Sequence, residues 1–246
     1  MTTNAAFKRT ELMLGYDGME RLASSFVVLA GVGAVGGFAL EALVRAGIGR
    51  IRIIDFDVVE ESNLNRQILA SRDTLGKVKV DLAAKRAKSI NPEINIEVLK
   101  VFISPDHIEE VFSDSPDLLI DAIDTITAKV TLLKSATQRG IKTFSSMGAA
   151  LRTETSMIKI APLSKTKVCP LASAIRNNLR KQGLDSILDK ITCVYSEEPV
   201  TIVPTERNDN GKSILGSLPT IPAIFGLTLA NEAIKHLTKK IKNKAC

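Results

Sequence analysis

The sequence predicts an α/β fold: a Rossmann-like, doubly wound and mainly parallel sheet, followed by a C-terminal α+β extension. Three observations predict it. Short apolar runs alternate with segments of helical period through about residue 146. A glycine-rich turn, Gly31-Val-Gly33-Ala-Val-Gly36, directly follows the first apolar run. An acid, Asp55, closes the second run roughly two dozen residues later.

The elements follow in order. Residues 1–25 read as a polar lead-in with a short helix around 19–24. Phe26–Ala30 is apolar throughout, as a strand covered on both faces must be, and Gly31 breaks it. Val35, Ala39, Leu43 and Ala46 recur at helical spacing, and Gly47 and Gly49 end that helix. Residues 51–54 form a second strand, stopped by Asp55-Phe-Asp57. Residues 75–90 read as a basic helix ended by Asn91-Pro92, and residues 94–101 as a strand. Ser104-Pro105-Asp106 reads as a cap and first turn. Residues 118–122 are a buried strand, 127–139 a helix and 142–146 a further strand. After Gly148 the alternation loosens. Short strands are expected at 157–160 and 192–194, a helix at 170–188 with Arg176, Arg180 and Lys181 exposed, and a polar loop at 204–213.

A chain of 246 residues suits one α/β domain with an extension. The divisions expected are a lead-in at 1–25, a nucleotide-binding domain at 26–150 and the extension at 151–246. Net charge is +6, compatible with a polyanionic partner without requiring one. The three cysteines, Cys169, Cys193 and Cys246, are widely spaced and form neither a disulfide framework nor a Cys-x-x-Cys zinc site. With an N-terminal run lacking the apolar core of a secretory signal, this favours a reducing cytoplasm. The apolar stretch 215–234 is interrupted by Pro219, Pro222, Asn231 and Glu232, so a packed or interface helix is expected and no stable membrane insertion. Weak peripheral association with a membrane is left open.

The chemistry begins at the glycine turn. Gly31 suits a tight turn, Gly33 lets a phosphate approach the backbone, and Gly36 permits close helix packing at a helix N-terminus that attracts anions. Asp55 can hydrogen-bond a ribose hydroxyl. These features serve NAD and ATP alike. The next segments separate the two. Ser62-Asn63-Leu-Asn65-Arg66-Gln67 is dense in amides and carries a cation, and Gly76-Lys77-Val-Lys79 adds another. When a carboxylate attacks the α-phosphorus of ATP, charge builds on the phosphoryl oxygens and pyrophosphate leaves. Arg66 and Lys79 are suited to stabilise that charge. Asp121 and Asp124 follow a strand, at the sheet edge where ligands bind, and either could hold Mg2+ there.

Together these segments resemble the E1-like activating enzymes of the ThiF, MoeB and HesA group, over roughly residues 8–150. The resemblance implies a homodimer that adenylates a carboxylate with ATP and Mg2+. It assigns Asp55, Asn63, Arg66, Lys79 and Asp124 to ATP or Mg2+, with Asp124 as the metal residue. Arg9, in Arg9-Thr-Glu-Leu-Met-Leu-Gly15, resembles the arginine that reaches into the partner subunit's ATP site. Within the group the chain is most similar to the branch that dehydrates threonylcarbamoyladenosine in tRNA. Ser145-Ser-Met-Gly148, Ser164-Lys-Thr166 with Pro170-Leu-Ala172, Cys193-Val-Tyr-Ser-Glu197 and residues 215–226 carry that likeness. Cys169 stands where an acid often precedes Pro-Leu-Ala.

The implied reaction is activation of the threonyl carboxylate of the modified adenosine next to the anticodon, position 37. A nitrogen of the same modification then closes a ring and expels AMP. The partner implied is tRNA bearing threonylcarbamoyladenosine, with a sulfur-relay protein as a further candidate. The internal nucleophile needs no protein thiol, so Cys193 is open to two readings, structural or catalytic and substrate-contacting. Adenylation of a ubiquitin-like sulfur carrier is the alternative activity. A nicotinamide oxidoreductase and a non-catalytic RNA- or protein-binding module are the other classes.

Weaker signals are read as structural. Gly211-Lys212-Ser213 lacks the first glycine of a P-loop. His107 and His236 have no Ser or Cys partner in sequence. The Lys239–Lys244 tail reads as a solvated helix end. The helix bearing Arg176, Arg180 and Lys181 is the better RNA-contact candidate.

Overall fold

A computed structural model describes residues 5–207, 211 and 213–239. Its centre is a seven-stranded sheet of order β3-β2-β1-β4-β5-β7-β6. The strands are β1 (Phe26–Ala30), β2 (Arg50–Ile54), β3 (Asn95–Leu99), β4 (Leu118–Asp121), β5 (Lys142–Ser146), β6 (Ile158–Pro162) and β7 (Ile191–Ser196). All neighbours pair in parallel except β6 and β7. The order reverses beside β1, between β2 and β4, which places a crevice at the carboxyl ends of these strands. The β1 residues are buried without exception, as strands covered by helices on both faces require.

The helices are α1 (Lys8–Ser24), α2 (Gly36–Ala46), α3 (Lys79–Ile90), α4 (Ile108–Val111), α5 (Ile126–Gln138), α6 (Pro170–Lys181) and α7 (Thr220–Thr238). Where one short helix was expected near residues 19–24, α1 spans Lys8–Ser24, with a kink at Gly15. Helix α3 starts at Lys79 because residues before it pair as extended chain, Val58 bridging Val78.

The expected extension is continuous with the sheet. β6 and β7 extend it beyond β5, and α7 buries Ile221, Phe225, Leu229, Ala230 and Ala233 in the main core. The apolar stretch is thus a packing helix, and no helix among the described residues is long and apolar enough to cross a membrane. Gly226 explains its closeness: a Cβ there would lie 2.2 Å from the Val35 carbonyl, so α7 rests directly on the start of α2.

Candidate nucleotide site

The turn after β1 is built for close approach. Gly31 has φ +84°, in the left-handed region, and its N–H donates to the Ile54 carbonyl at 2.7 Å. A Cβ at Gly36 would lie 1.8 Å from the Gly31 carbonyl oxygen, so only hydrogen fits. Gly33 differs: its nearest neighbour to a Cβ would be Gln67 Nε2 at 3.7 Å, ordinary contact. The fold itself therefore does not require glycine at 33, and the bare backbone there faces space a ligand can use. Among the described residues, the N–H groups of Gly33, Ala34, Val35 and Gly36 have no acceptor. Four free donors at a helix start form an anion site.

Three loops meet this turn. From β2, Asp55 Oδ2 accepts the Val32 N–H at 2.9 Å and Oδ1 accepts that of Asp57 at 3.0 Å. Asp55 thus ties strand end to turn while each oxygen keeps a further lone pair. Asp57 in turn holds Lys79: its Oδ2 lies 2.9 Å from Lys79 Nζ, and its carbonyl accepts the Lys79 N–H at 3.0 Å. Lys79 is only 5% exposed, so the charge is held at a fixed place.

The second loop carries the amides. Asn63 is buried in a single 3-10 turn, Glu61–Asn63, where it exchanges hydrogen bonds with Glu60. Two N–H groups, of Arg66 and Gln67, converge on the Asn63 carbonyl. Gln67 then lies beneath Gly33, which brings Arg66 to the turn. The hydrogen bonds of the Arg66 guanidinium use only Nη1, to the Ser62 carbonyl and Asn65 Oδ1, each at 2.8 Å. No described carboxylate pairs with it.

The third loop follows β4, where Ala122 touches Gly31 and Gly36. The two acids left open by sequence separate here. Asp121 is wholly buried, 2.7 Å from Lys129 Nζ and accepting the Ser145 hydroxyl at 2.6 Å. Asp124 is exposed and makes no hydrogen bond among the described residues. It does not cap α5 either, since Thr125 is the N-cap. No group of three or more His, Cys, Asp or Glu side chains among the described residues could hold a metal. A bound Mg2+ at Asp124 would therefore lean on phosphate oxygens and water, which suits that ion.

Other expected residues lie apart. Cys193 is fully buried in β7, its thiol near the Ile191 carbonyl, and burial pushes its pKa far up. A thiol held protonated inside the core is a poor nucleophile, so of the two readings its contacts support the structural one. For α6, the expected exposure holds for Arg180 and Lys181 but not for Arg176. Arg176 turns inward onto the Leu163 and Thr166 carbonyls and the Thr166 hydroxyl, and Arg180 pairs with Asp185. Arg9 is exposed on α1, and no described contact within the chain brings it to the glycine turn. His107 is tied to Ser104 and the Phe102 carbonyl. Lys212, Lys240, Lys242, Lys244 and Cys246 lie outside the described residues. A shallow hollow of about 700 Å3 beside Asp17–Ser24 contains none of the predicted residues.

Sequence reasoning passed over Asp57 and Lys129 as functional residues. The alternation Asp55-Phe-Asp57 signals that both acids share one side of the strand end. Lys129, set between Ala128 and Val130 in the apolar part of α5, signals a buried pair.

A helix start with free N–H donors, a strand-end acid and two cations at the switch point of a parallel sheet define a nucleotide-binding α/β protein. The ThiF family model matches residues 7–246, and the chain belongs to the ThiF family. It is 39% identical over 248 residues to the tRNA threonylcarbamoyladenosine dehydratase of Bacillus subtilis, covering 97% of this chain and 96% of that protein. The E. coli tRNA N6-threonylcarbamoyladenosine dehydratase TcdA in complex with ATP superposes with a TM-score of 0.88 at 30% identity, over 96% of this chain and 97% of that one. Its complex with AMP gives 0.87 at 31% identity over the same shares.

Proposed function

We propose that this chain is an ATP-dependent enzyme that dehydrates N6-threonylcarbamoyladenosine in tRNA through a carboxyl-adenylate. The observation that carries the reading is the likeness to dehydratases along nearly the whole chain, including relatives solved with ATP and with AMP. The site supports it. The free N–H groups at the start of α2 receive phosphate oxygens. Asp55 offers its remaining lone pairs to the ribose. Arg66 and Lys79 stabilise charge on the α-phosphoryl group as the threonyl carboxylate attacks and pyrophosphate departs. Asn63 shapes the loop that presents Arg66. Asp124 would hold Mg2+, which would supply neutralisation of phosphate charge.

In the second step a nitrogen of the same modification attacks the acyl carbon, loses its proton and expels AMP. Held on one residue, the reacting groups meet at high effective concentration. The enzyme works as a homodimer in the cytoplasm, with Arg9 completing the partner's site. The residues at 151–246 contribute contacts to tRNA and to the dimer.

The test is pyrophosphate exchange with purified protein, ATP and Mg2+. Threonylcarbamoyladenosine-bearing tRNA should stimulate it, and mass analysis should find the cyclised nucleoside. Stimulation by a Gly-Gly-ended carrier protein in its place would refute the reading. Arg66→Ala and Lys79→Ala should each lower exchange by roughly a hundredfold, the scale of losing one preorganised donor to transition-state charge.

A further inference from the structure

Among the described residues, three buried side-chain nitrogens lack a hydrogen-bond partner: Arg21 Nε and the Nε and Nη1 of Arg152. Arg21 is otherwise anchored, its Nη2 donating to the Thr238 carbonyl at 3.0 Å. Among the described residues Arg152 has no anchor of that kind, and it is 2% exposed. A guanidinium keeps its charge at any ordinary pH, and burying it with donors unspent is unfavourable unless something supplies acceptors.

The protein does not supply them. The carboxylate that feels its charge is Glu198. That carboxylate already accepts the N–H groups of Thr153 and Glu154 and the Thr153 hydroxyl, at 2.9–3.1 Å. Burial pushes the Glu198 pKa up, but these hydrogen bonds and the Arg152 charge outweigh it and hold the group ionised. Arg152 instead lines a cavity of about 430 Å3, together with Leu151, Thr153, Glu206, Ser217 and Leu218 among others. Glu206 is exposed to water, where its charge is screened.

The cavity adjoins the nucleotide site. Leu151, held in the left-handed region at φ +59°, donates its N–H to the Gly216 carbonyl at 2.9 Å. The next carbonyl, of Ser217, accepts Asn65 Nδ2 at 3.0 Å, and Asn65 Oδ1 accepts from Arg66. One short segment of chain thus separates Arg152 from Arg66.

We propose that the Arg152 cavity receives an oxyanion of the RNA substrate: the threonyl carboxylate awaiting adenylation, or a backbone phosphate beside it. Arg152 is then a substrate-binding residue that brings the RNA to the nucleotide. The proposal rests on the function read above.

The experiment compares the full-length protein with Arg152→Met and Arg152→Lys. Three probes are used: modified tRNA, the same tRNA unmodified, and the free N6-threonylcarbamoyladenosine nucleoside. ATP affinity and thermal midpoint are measured alongside. The expected result is at least about a tenfold loss of affinity for modified tRNA in the Met variant at unchanged ATP affinity, the scale of a lost charge-assisted hydrogen bond. The Lys variant should lose less, and added methylguanidine should restore part of the Met variant's loss. If the oxyanion is the carboxylate, nucleoside turnover falls too and unmodified tRNA binds as before. If it is a phosphate, unmodified tRNA binds more weakly and the nucleoside is unaffected. Should the Met variant fail to fold, the Lys variant decides by the same readouts. Folded variants that match the parent on all three probes overturn the proposal while leaving the dehydratase reading intact. A parent protein inactive on modified tRNA overturns both.

Discussion

Lys129→Met tests whether the buried pair beneath the site holds it in shape. Both side chains of the pair are 0% exposed, and Lys129 Nζ lies 2.7 Å from Asp121 Oδ2. Methionine fills most of the lysine stem's volume, so the packing loss is small. The electrostatic loss is not. Asp121 keeps the Ser145 hydroxyl at 2.6 Å and the Ile123 N–H at 3.3 Å, but stands as a buried charge without its cation. Removing one partner of such a pair costs about 3–5 kcal/mol. In a chain of this size each kcal/mol moves the thermal midpoint by about 2–4 °C, so a fall of roughly 6–20 °C is expected. Lys129 Nζ also donates to the Ile123 carbonyl at 2.8 Å, one residue before Asp124. ATP affinity in Mg2+ should therefore drop even at temperatures where the variant stays folded. Urea unfolding followed by circular dichroism gives the first quantity and nucleotide titration the second. The double variant Asp121→Asn/Lys129→Met leaves no charge behind and should regain most of the lost stability. If Lys129→Met unfolds within about 1 kcal/mol of the parent, or the double variant loses the sum of both singles, the pairing argument fails.

Gly36→Ala forces backbone apart and should lower both the thermal midpoint and ATP binding. Gly33→Ala places its methyl 3.7 Å from Gln67 Nε2, so stability should hold while ATP affinity falls at least about tenfold, and equal affinity in a titration would refute the phosphate role of that turn. Cys193→Ala should leave pyrophosphate exchange and cyclisation within about twofold of the parent and cost roughly 1–2 kcal/mol through the small void, and a folded but inactive variant would return the thiol to the chemistry. For Glu97, burial pushes the pKa up, but Arg50 and Arg52 outweigh it and hold it below the usual 4.5. A depressed carboxylate contributes stability above its unfolded pKa and loses it as pH falls through the folded value. Glu97→Gln should thus flatten the part of the stability profile below about pH 4.5 relative to the parent, as urea midpoints at stepped pH would show.

The strands and the switch point were legible because their causes are local. Apolar runs such as Phe26–Ala30 need cover on both faces, and the glycine turn can only follow a strand and open a helix. The ends of elements were less legible where tertiary contacts set them. Residues 75–78 carry helical composition, yet Val78 is held by Val58 across a bridge, so α3 waits until Lys79. In α6 the sequence shows three cations on a short helix but not their direction. Arg176 has carbonyls within reach that lie ten and thirteen residues back along the chain, at Thr166 and Leu163, and no periodicity reports those.

The site divides in the same way. Asp55, Arg66 and Lys79 could be named as candidates because a ribose calls for a strand-end acid and adenylate chemistry for cations, and Asn63 because the resemblance to the activating enzymes implied it. Their partners could not, because partners are chosen by the fold. Asp57 fixes Lys79, Gln67 carries Arg66 under Gly33, and Lys129 settles which of two aspartates remains free. That last choice shows how burial assigns roles among identical side chains. Asp121 and Asp124 stand three residues apart, one ending β4 and one in the loop after it, with the same chemistry. The acid at the strand's end is sealed in with a lysine and becomes structure, whereas the one beyond it stays in water with its lone pairs unspent, which is the condition a metal ligand must meet.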